Sequence, residues 1–163
     1  KHGRGEEKKY VKTVSNTSLV EHYVGDYKED FYDGNGTLKT TNYNYTGEFK
    51  QGKKSGKGKI VLSNKDEYTG EWLNDVYHGQ GVFINNLSGE RYEGEFINGL
   101  YSKGKYFYAN GNSYDGEWNN NEPSGNGTYF WKQSGDNYVG EFKNGNPDGL
   151  GKLTKKMEHF LVE

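Results

Sequence analysis

YTGEWLNDVYHGQGVF, residues 68–83, sets Tyr68, Gly70 and Trp72 at alternate positions, then a turn, then Gly79 and Gly81 around a single residue. The same series recurs along the chain. Tyr stands at 23, 45, 68, 92, 114 and 138, at intervals of 22 to 24 residues. Gly25, Gly47, Gly70, Gly94, Gly116 and Gly140 follow two residues later, and the next residue is always acidic: Asp26, Glu48, Glu71, Glu95, Glu117 and Glu141. Then comes a ring (Tyr27, Phe49, Trp72, Phe96, Trp118, Phe142) and, three residues on, a turn former: Asp30, Gly52, Asp75, Gly99, Asn121 or Gly145. Every unit then supplies G-x-G except the fourth, where a deleted residue leaves Gly104 alone. Self-similarity at a fixed period of this length marks a repeat architecture.

Each unit reads as one β-hairpin. Alternate residues of a strand share a face, so Tyr, Gly and the ring of the first strand point the same way. In the second strand the G-x-G glycines share parity with Leu38, Ile60, Phe83, Tyr106, Tyr129 and Leu153. Large rings therefore lie beside missing side chains, and the glycines leave the space the rings need. The expected fold is all-β: a single-layer ribbon of consecutive antiparallel hairpins, each burying rings only against its neighbours. At roughly 4.8 Å per strand, six hairpins span about 60 Å.

The units run 23–44, 45–67, 68–91, 92–113, 114–137 and 138–159. His2-Gly3-Arg4-Gly5 matches the second half of a preceding unit, which assigns 1–7 to an incomplete repeat. Phe160 to Glu163 matches the start of another, with Val162 where Gly is expected. The register leads us to expect a piece of a longer array. Residues 8–22 exceed the repeat; they alternate around Asn16-Thr17 and form either an extended hairpin or an unstructured insertion.

Composition agrees with a thin core. Leu, Ile, Val and Phe make up only 29 of 163 residues, near the disordered range, but net charge is −2 and aromatics reach 16%, which argues for folding. One Ala against 15 Tyr and nine Val favours strands over helices. There is no cysteine, so disulfides and thiolate metal sites are excluded. No apolar run approaches membrane-spanning length, and near-neutral charge gives no reason to expect nucleic-acid binding. An intracellular protein is the expectation.

Y-x-G-E-W/F followed by H-G-x-G at this period resembles the MORN repeat (membrane occupation and recognition nexus). Tyr68 to Gly81 is the nearest copy, and the pattern covers residues 23–163. The resemblance implies a non-enzymatic module. Its relatives serve as scaffolds in cytoskeletal and ciliary assemblies, including radial spoke heads, as accessory parts of lipid kinases or lysine methyltransferases, or as phospholipid-binding adaptors.

The residues themselves carry no catalytic pattern. A glycosidase uses one pair of carboxylates, whereas these acids repeat in every unit and so read as architecture, accepting hydrogen bonds from turn N–H groups or hydroxyls. GKKSGKGK, residues 52–59, mimics a phosphate loop, but its glycine spacing is one short and no helix follows. His2 and His78 share a repeat slot and His22 and His159 stand alone, without ligand spacing. No metal or cofactor is expected.

Deviations from the repeat are the better guide to function. Lys50, Lys53, Lys54, Lys57 and Lys59 crowd one turn; a solvated turn is the simpler reading and an anionic lipid surface the sharper one. On the face opposite the rings, Val61, Leu73, Ile84, Ile97, Phe107 and Phe130 break a polar pattern and are expected to form one contiguous apolar patch; Trp131, on the other parity, exceeds what the repeat demands and is expected to extend a contact surface. Within the opening stretch, Leu73 and Tyr77 stand out as carriers of function. The leading expectation is a protein–protein interaction scaffold taking an amphipathic helix or a neighbouring subunit, in the cytoplasm, cytoskeleton or axoneme. The alternatives are an anionic-membrane adaptor and the regulatory ribbon of a longer enzyme.

Overall fold

A computed structural model describes residues 1–12 and 17–156. Its strands are β1 (Gly3–Lys12), β2 (Thr17–Lys28), β3 (Phe31–Thr40), β4 (Tyr43–Lys50), β5 (Lys53–Leu62), β6 (Glu67–Leu73) and β7 (Val76–Ile84). They continue as β8 (Arg91–Ile97), β9 (Leu100–Phe107), β10 (Ser113–Asn119), β11 (Glu122–Phe130), β12 (Asn137–Lys143) and β13 (Asn146–Thr154). All 13 pair antiparallel in chain order in one open sheet. The ribbon expected from the repeat is the fold.

The hairpins turn in two residues. Asn74 and Asp75 both have positive φ, 50° and 71°, as do their equivalents from Glu29-Asp30 to Asn144-Gly145. Positive φ at both central positions is the type I′ turn, whose twist matches that of paired strands. Within the described part of 8–22, β1 and β2 pair from Gly3↔Tyr27 to Lys12↔Thr17, with a bulge between Lys9 and Tyr10. Residues 13–16, and the expected start of a further repeat at 160–163, lie outside the described residues.

Glycine and tyrosine fit together as expected, and the fit is close. Tyr23, Tyr45, Tyr68, Tyr92 and Tyr114 are fully buried although the sheet is one layer thick. Each ring lies along its own hairpin over a facing glycine pair, and its hydroxyl donates to the carbonyl of the repeat acid, as Tyr68 does to Glu71 at 2.7 Å. A Cβ at Gly81 would come within 2.6 Å of the Tyr68 ring. Only a glycine leaves that seat open.

Rings close the seat from the sides. Tyr68 meets Trp72 of its own repeat at 5.3 Å and Phe96 of the next at 5.0 Å, both edge-on. The cross-repeat contact recurs as Tyr23–Phe49, Tyr45–Trp72, Tyr92–Trp118 and Tyr114–Phe142. Such pairs contribute about 0.5–1.5 kcal/mol each beyond burial. Trp72 and Trp118 add indole N–H bonds to the carbonyls of Gly58 and Gly104 in the preceding repeat, at 3.1 and 3.0 Å. Tyr77, read from sequence as a carrier of function, is instead a lid: it stacks on Tyr68 at 3.9 Å, as Tyr32 does on Tyr23 and Tyr101 on Tyr92.

Candidate interaction surfaces

The acidic ladder closes bulges. Gly70 pairs with Gly81 while Glu71 pairs with His78, so Gly79 and Gln80 have no partner on β6. Gly79 takes φ 58°, and the Gln80 N–H released by the irregularity donates to Glu71 Oε1 at 3.2 Å. Asp26, Glu48 and Glu141 bind the N–H of Asn35, Lys57 and Leu150 in the same way. In the fourth repeat the deletion leaves only Ser102 unmatched, and its hydroxyl takes over, donating to Glu95 at 3.0 Å. These carboxylates are structural acceptors, spaced one per hairpin.

A second ladder escaped the sequence reading. Asp66, Glu90, Asn112 and Asp136 each lie two residues before a buried or half-buried Tyr. Each accepts a backbone N–H from the next loop: Asn86, Ala109, Lys132 and Lys156 respectively. Recurrence at a fixed offset from Tyr was the available signal.

The G-x-G of 52–59 likewise serves the repeat: a Cβ at Gly56 would strike the Glu48 carboxylate, and one at Gly58 the Tyr45 ring. His22 contacts Glu6 at 2.7 Å; His78 faces Glu71 across the hairpin; His2 is exposed; His159 lies outside the described residues. Among the described residues no group of three or more His, Cys, Asp or Glu could hold a metal ion.

The five lysines do not form one cluster. Lys54 pairs with Phe49 on the ring face and is buried, its ammonium 4.8 Å from the Tyr43 ring, 5.6 Å from Trp72 and 3.2 Å from Asp75. It caps the Tyr45 seat where the first, third and fourth repeats use a tyrosine and the last two a proline. Lys59 is ion-paired with Glu67 at 2.6 Å and Lys50 approaches Asp33 at 3.7 Å. Lys50, Lys53, Lys57 and Lys59 share the outer face by alternation from Lys54.

The expected contiguous patch divides into three parts. On the outer face Val61, Glu67, Ile84, Arg91, Phe107, Ser113, Phe130 and Asn137 succeed one another across the strands. Apolar and polar side chains thus alternate strand by strand, and Phe107 lies between Arg91 and Lys105, 5.7 and 5.3 Å from its ring. Leu73 and Ile97 sit elsewhere, at the turn ends, where they pair with Val76 and Leu100. Six residues of strand, roughly 20 Å, separate Leu73 from the Val61 row. Trp131 belongs to the opposite, ring-bearing face and packs on Tyr129 at 4.8 Å. The sequence parity was right for every residue; contiguity failed because shared parity fixes the face and says nothing of position along the strand.

The MORN repeat family model matches residues 23–44, 45–67, 68–85, 92–113, 114–135 and 138–157. The chain belongs to the MORN repeat family. Comparison with the curated proteins finds no match to the chain. MORN repeats are protein- and membrane-interaction modules, a non-catalytic family. In this MORN ribbon the repeat consensus is consumed by Tyr seats and bulge closure, and the residues that vary from unit to unit are the outer apolar row, the turn-end cluster and the rings around Trp131.

Proposed function

We propose that the protein is a non-enzymatic protein–protein interaction scaffold whose outer face holds an amphipathic helix. The observation that carries this reading is the strand-by-strand alternation of Val61, Ile84, Phe107 and Phe130 with polar residues. Apolar side chains on every second strand lie about 9.6 Å apart. A helix laid along the ribbon presents residues i and i+7 at roughly 10.5 Å, so one apolar stripe meets successive knobs. Leu73, Val76, Ile97 and Leu100 offer a second, smaller contact at the turn edge.

The resemblance further suggests a structural subunit of a cytoskeletal or ciliary, radial-spoke-like assembly, with a regulatory module of a longer enzyme as the other setting. A membrane-adaptor role is weakened by the burial of Lys54 and the pairing of Lys59. Partners recovered by native purification would be retested against Phe107→Asp and Phe130→Asp. Loss of capture with unchanged thermal unfolding is expected; full capture by both variants would mean the outer row is not the docking face. Salt-sensitive binding to phosphatidylserine vesicles would favour the adaptor instead.

A further inference from the structure

On the ring face, at the loop end of the fourth and fifth repeats, the core continues into rings the repeat does not call for. The slot two residues beyond the second-strand core residue reads Thr40, Leu62, Asn85, Tyr108, Trp131 and Lys155. Only two adjacent repeats place aromatics there. Tyr108 lies 5.8 Å from Tyr129, which lies 4.8 Å from Trp131, all at tilted angles. A hollow of about 410 Å³ opens beside Trp131, lined by Asn110, Asn112, Gln133 and Ser134. None of these lining residues is charged.

Several hydrogen-bond donors around this shelf are unpaired, while its acceptors are partly engaged. Asn112 Oδ1 already accepts the Lys132 N–H, Asn110 Oδ1 the Asn112 N–H, Ser134 Oγ the Asp136 N–H, and the Tyr129 oxygen the Asn112 amide. Among the described residues, the Trp131 indole N–H, the Asn110 amide N–H and the Tyr108, Tyr129 and Ser134 hydroxyl hydrogens have no acceptor. The Asn110, Asn112 and Ser134 oxygens each keep a second lone pair, but these donors are wholly unpaired. A fitting ligand therefore carries apolar rings or faces and acceptors for these donors.

We propose that Tyr108, Tyr129 and Trp131 bind a segment of polyproline II helix. Proline has no N–H, so a proline-rich segment presents carbonyl acceptors without donors. Its preformed shape loses little entropy on docking to aromatic-lined surfaces. The spacing agrees: polyproline II rises about 3.1 Å per residue with three residues per turn. The two legs of 5.8 and 4.8 Å hold Tyr108 and Trp131 within about one such turn. A sugar would also stack on Trp131, but each of its hydroxyls brings a donor that must be desolvated, whereas proline offers only apolar faces and carbonyls. The site is independent of the outer-face reading and lies on the opposite side of the sheet.

Decaproline titrated into the ¹⁵N-labelled 163-residue chain tests this. Saturable movement of the Trp131 indole resonance is expected, while the Trp72 and Trp118 resonances, bonded inside the ribbon, stay in place. By calorimetry Trp131→Ala should weaken binding at least tenfold; Trp131→Phe, which keeps a ring without the donor, should weaken it less. Phe107→Asp should leave it unchanged. Unmoved Trp131, or wild-type affinity in Trp131→Ala with the other two indole resonances intact, overturns the proposal. Maltoheptaose moving Trp131 where decaproline does not would overturn it in favour of a glycan.

Discussion

Tyr114 and Tyr138 occupy the same slot in successive repeats, YDGEW and YVGEF, yet only Tyr114 is fully buried. Tyr114 receives Phe142 from the next repeat at 4.8 Å, and its hydroxyl bond to Glu117 is 2.9 Å long. Tyr138 keeps its own Phe142 at 5.3 Å, but among the described residues no further ring covers it, its hydroxyl bond stretches to 3.4 Å, and β13 beside it is exposed throughout. The same motif thus gives a sealed core in one place and a half-open one in the other. Burial here belongs to the junction between repeats, as expected when each unit contacts only its neighbours.

The sharpest way to break the comparison is to empty both seats. Tyr114→Ala should destabilise by about 4 kcal/mol, the usual range for removing a buried aromatic, and Tyr138→Ala by roughly 1 kcal/mol. Urea unfolding of the two variants measures the difference; equal losses would show that the last junction is as tight as the others. Alkaline pH probes the sealed seats together. Burial pushes the phenols of Tyr23 and Tyr114 up to about 12, whereas unfolded tyrosine ionises near 10. The folded state therefore holds these protons more tightly. Its stability from this source is complete below about pH 10 and declines as pH rises towards 12. The urea midpoint should follow that course alongside absorbance at 295 nm, and a midpoint that stays flat would place water at the rings. The smallest effect concerns the fourth repeat. Ser102→Ala removes the hydroxyl that stands in for a bulge N–H at Glu95 and should cost about 1 kcal/mol with the same register kept. An unchanged denaturation curve would mean that Glu95 needs no closure there.

Most of the fold was legible because one physical demand repeats. Tyr68 needs two facing glycines, Glu71 needs a released N–H, and Asn74-Asp75 needs positive φ, so each position tolerates few residues and the period stands out. The position of Lys54 on the ring face was also legible, since it shares parity with Gly56 and Gly58, but the density of lysines around it suggested a single patch. The outer face resisted for a different reason. Leu73 and Glu67 belong to one short strand, and only the pairing register shows that Val61 lies beside Glu67 and far from Leu73. Trp131 was noticed as a deviation, yet its companions Tyr108 and Tyr129 look like ordinary strand residues until the rings are seen to stack.

The order of strands has a mechanical side. Because the sheet runs from β1 to β13 without a crossover, tension between its ends pulls across the strands and passes through the strand pairs in series. The ribbon then opens by single hairpins, and its interior carries no shear. A hairpin pulled free has only its intact neighbour to find again, a local search. A strip built this way can lengthen under strain one hairpin at a time and close again by the same local steps.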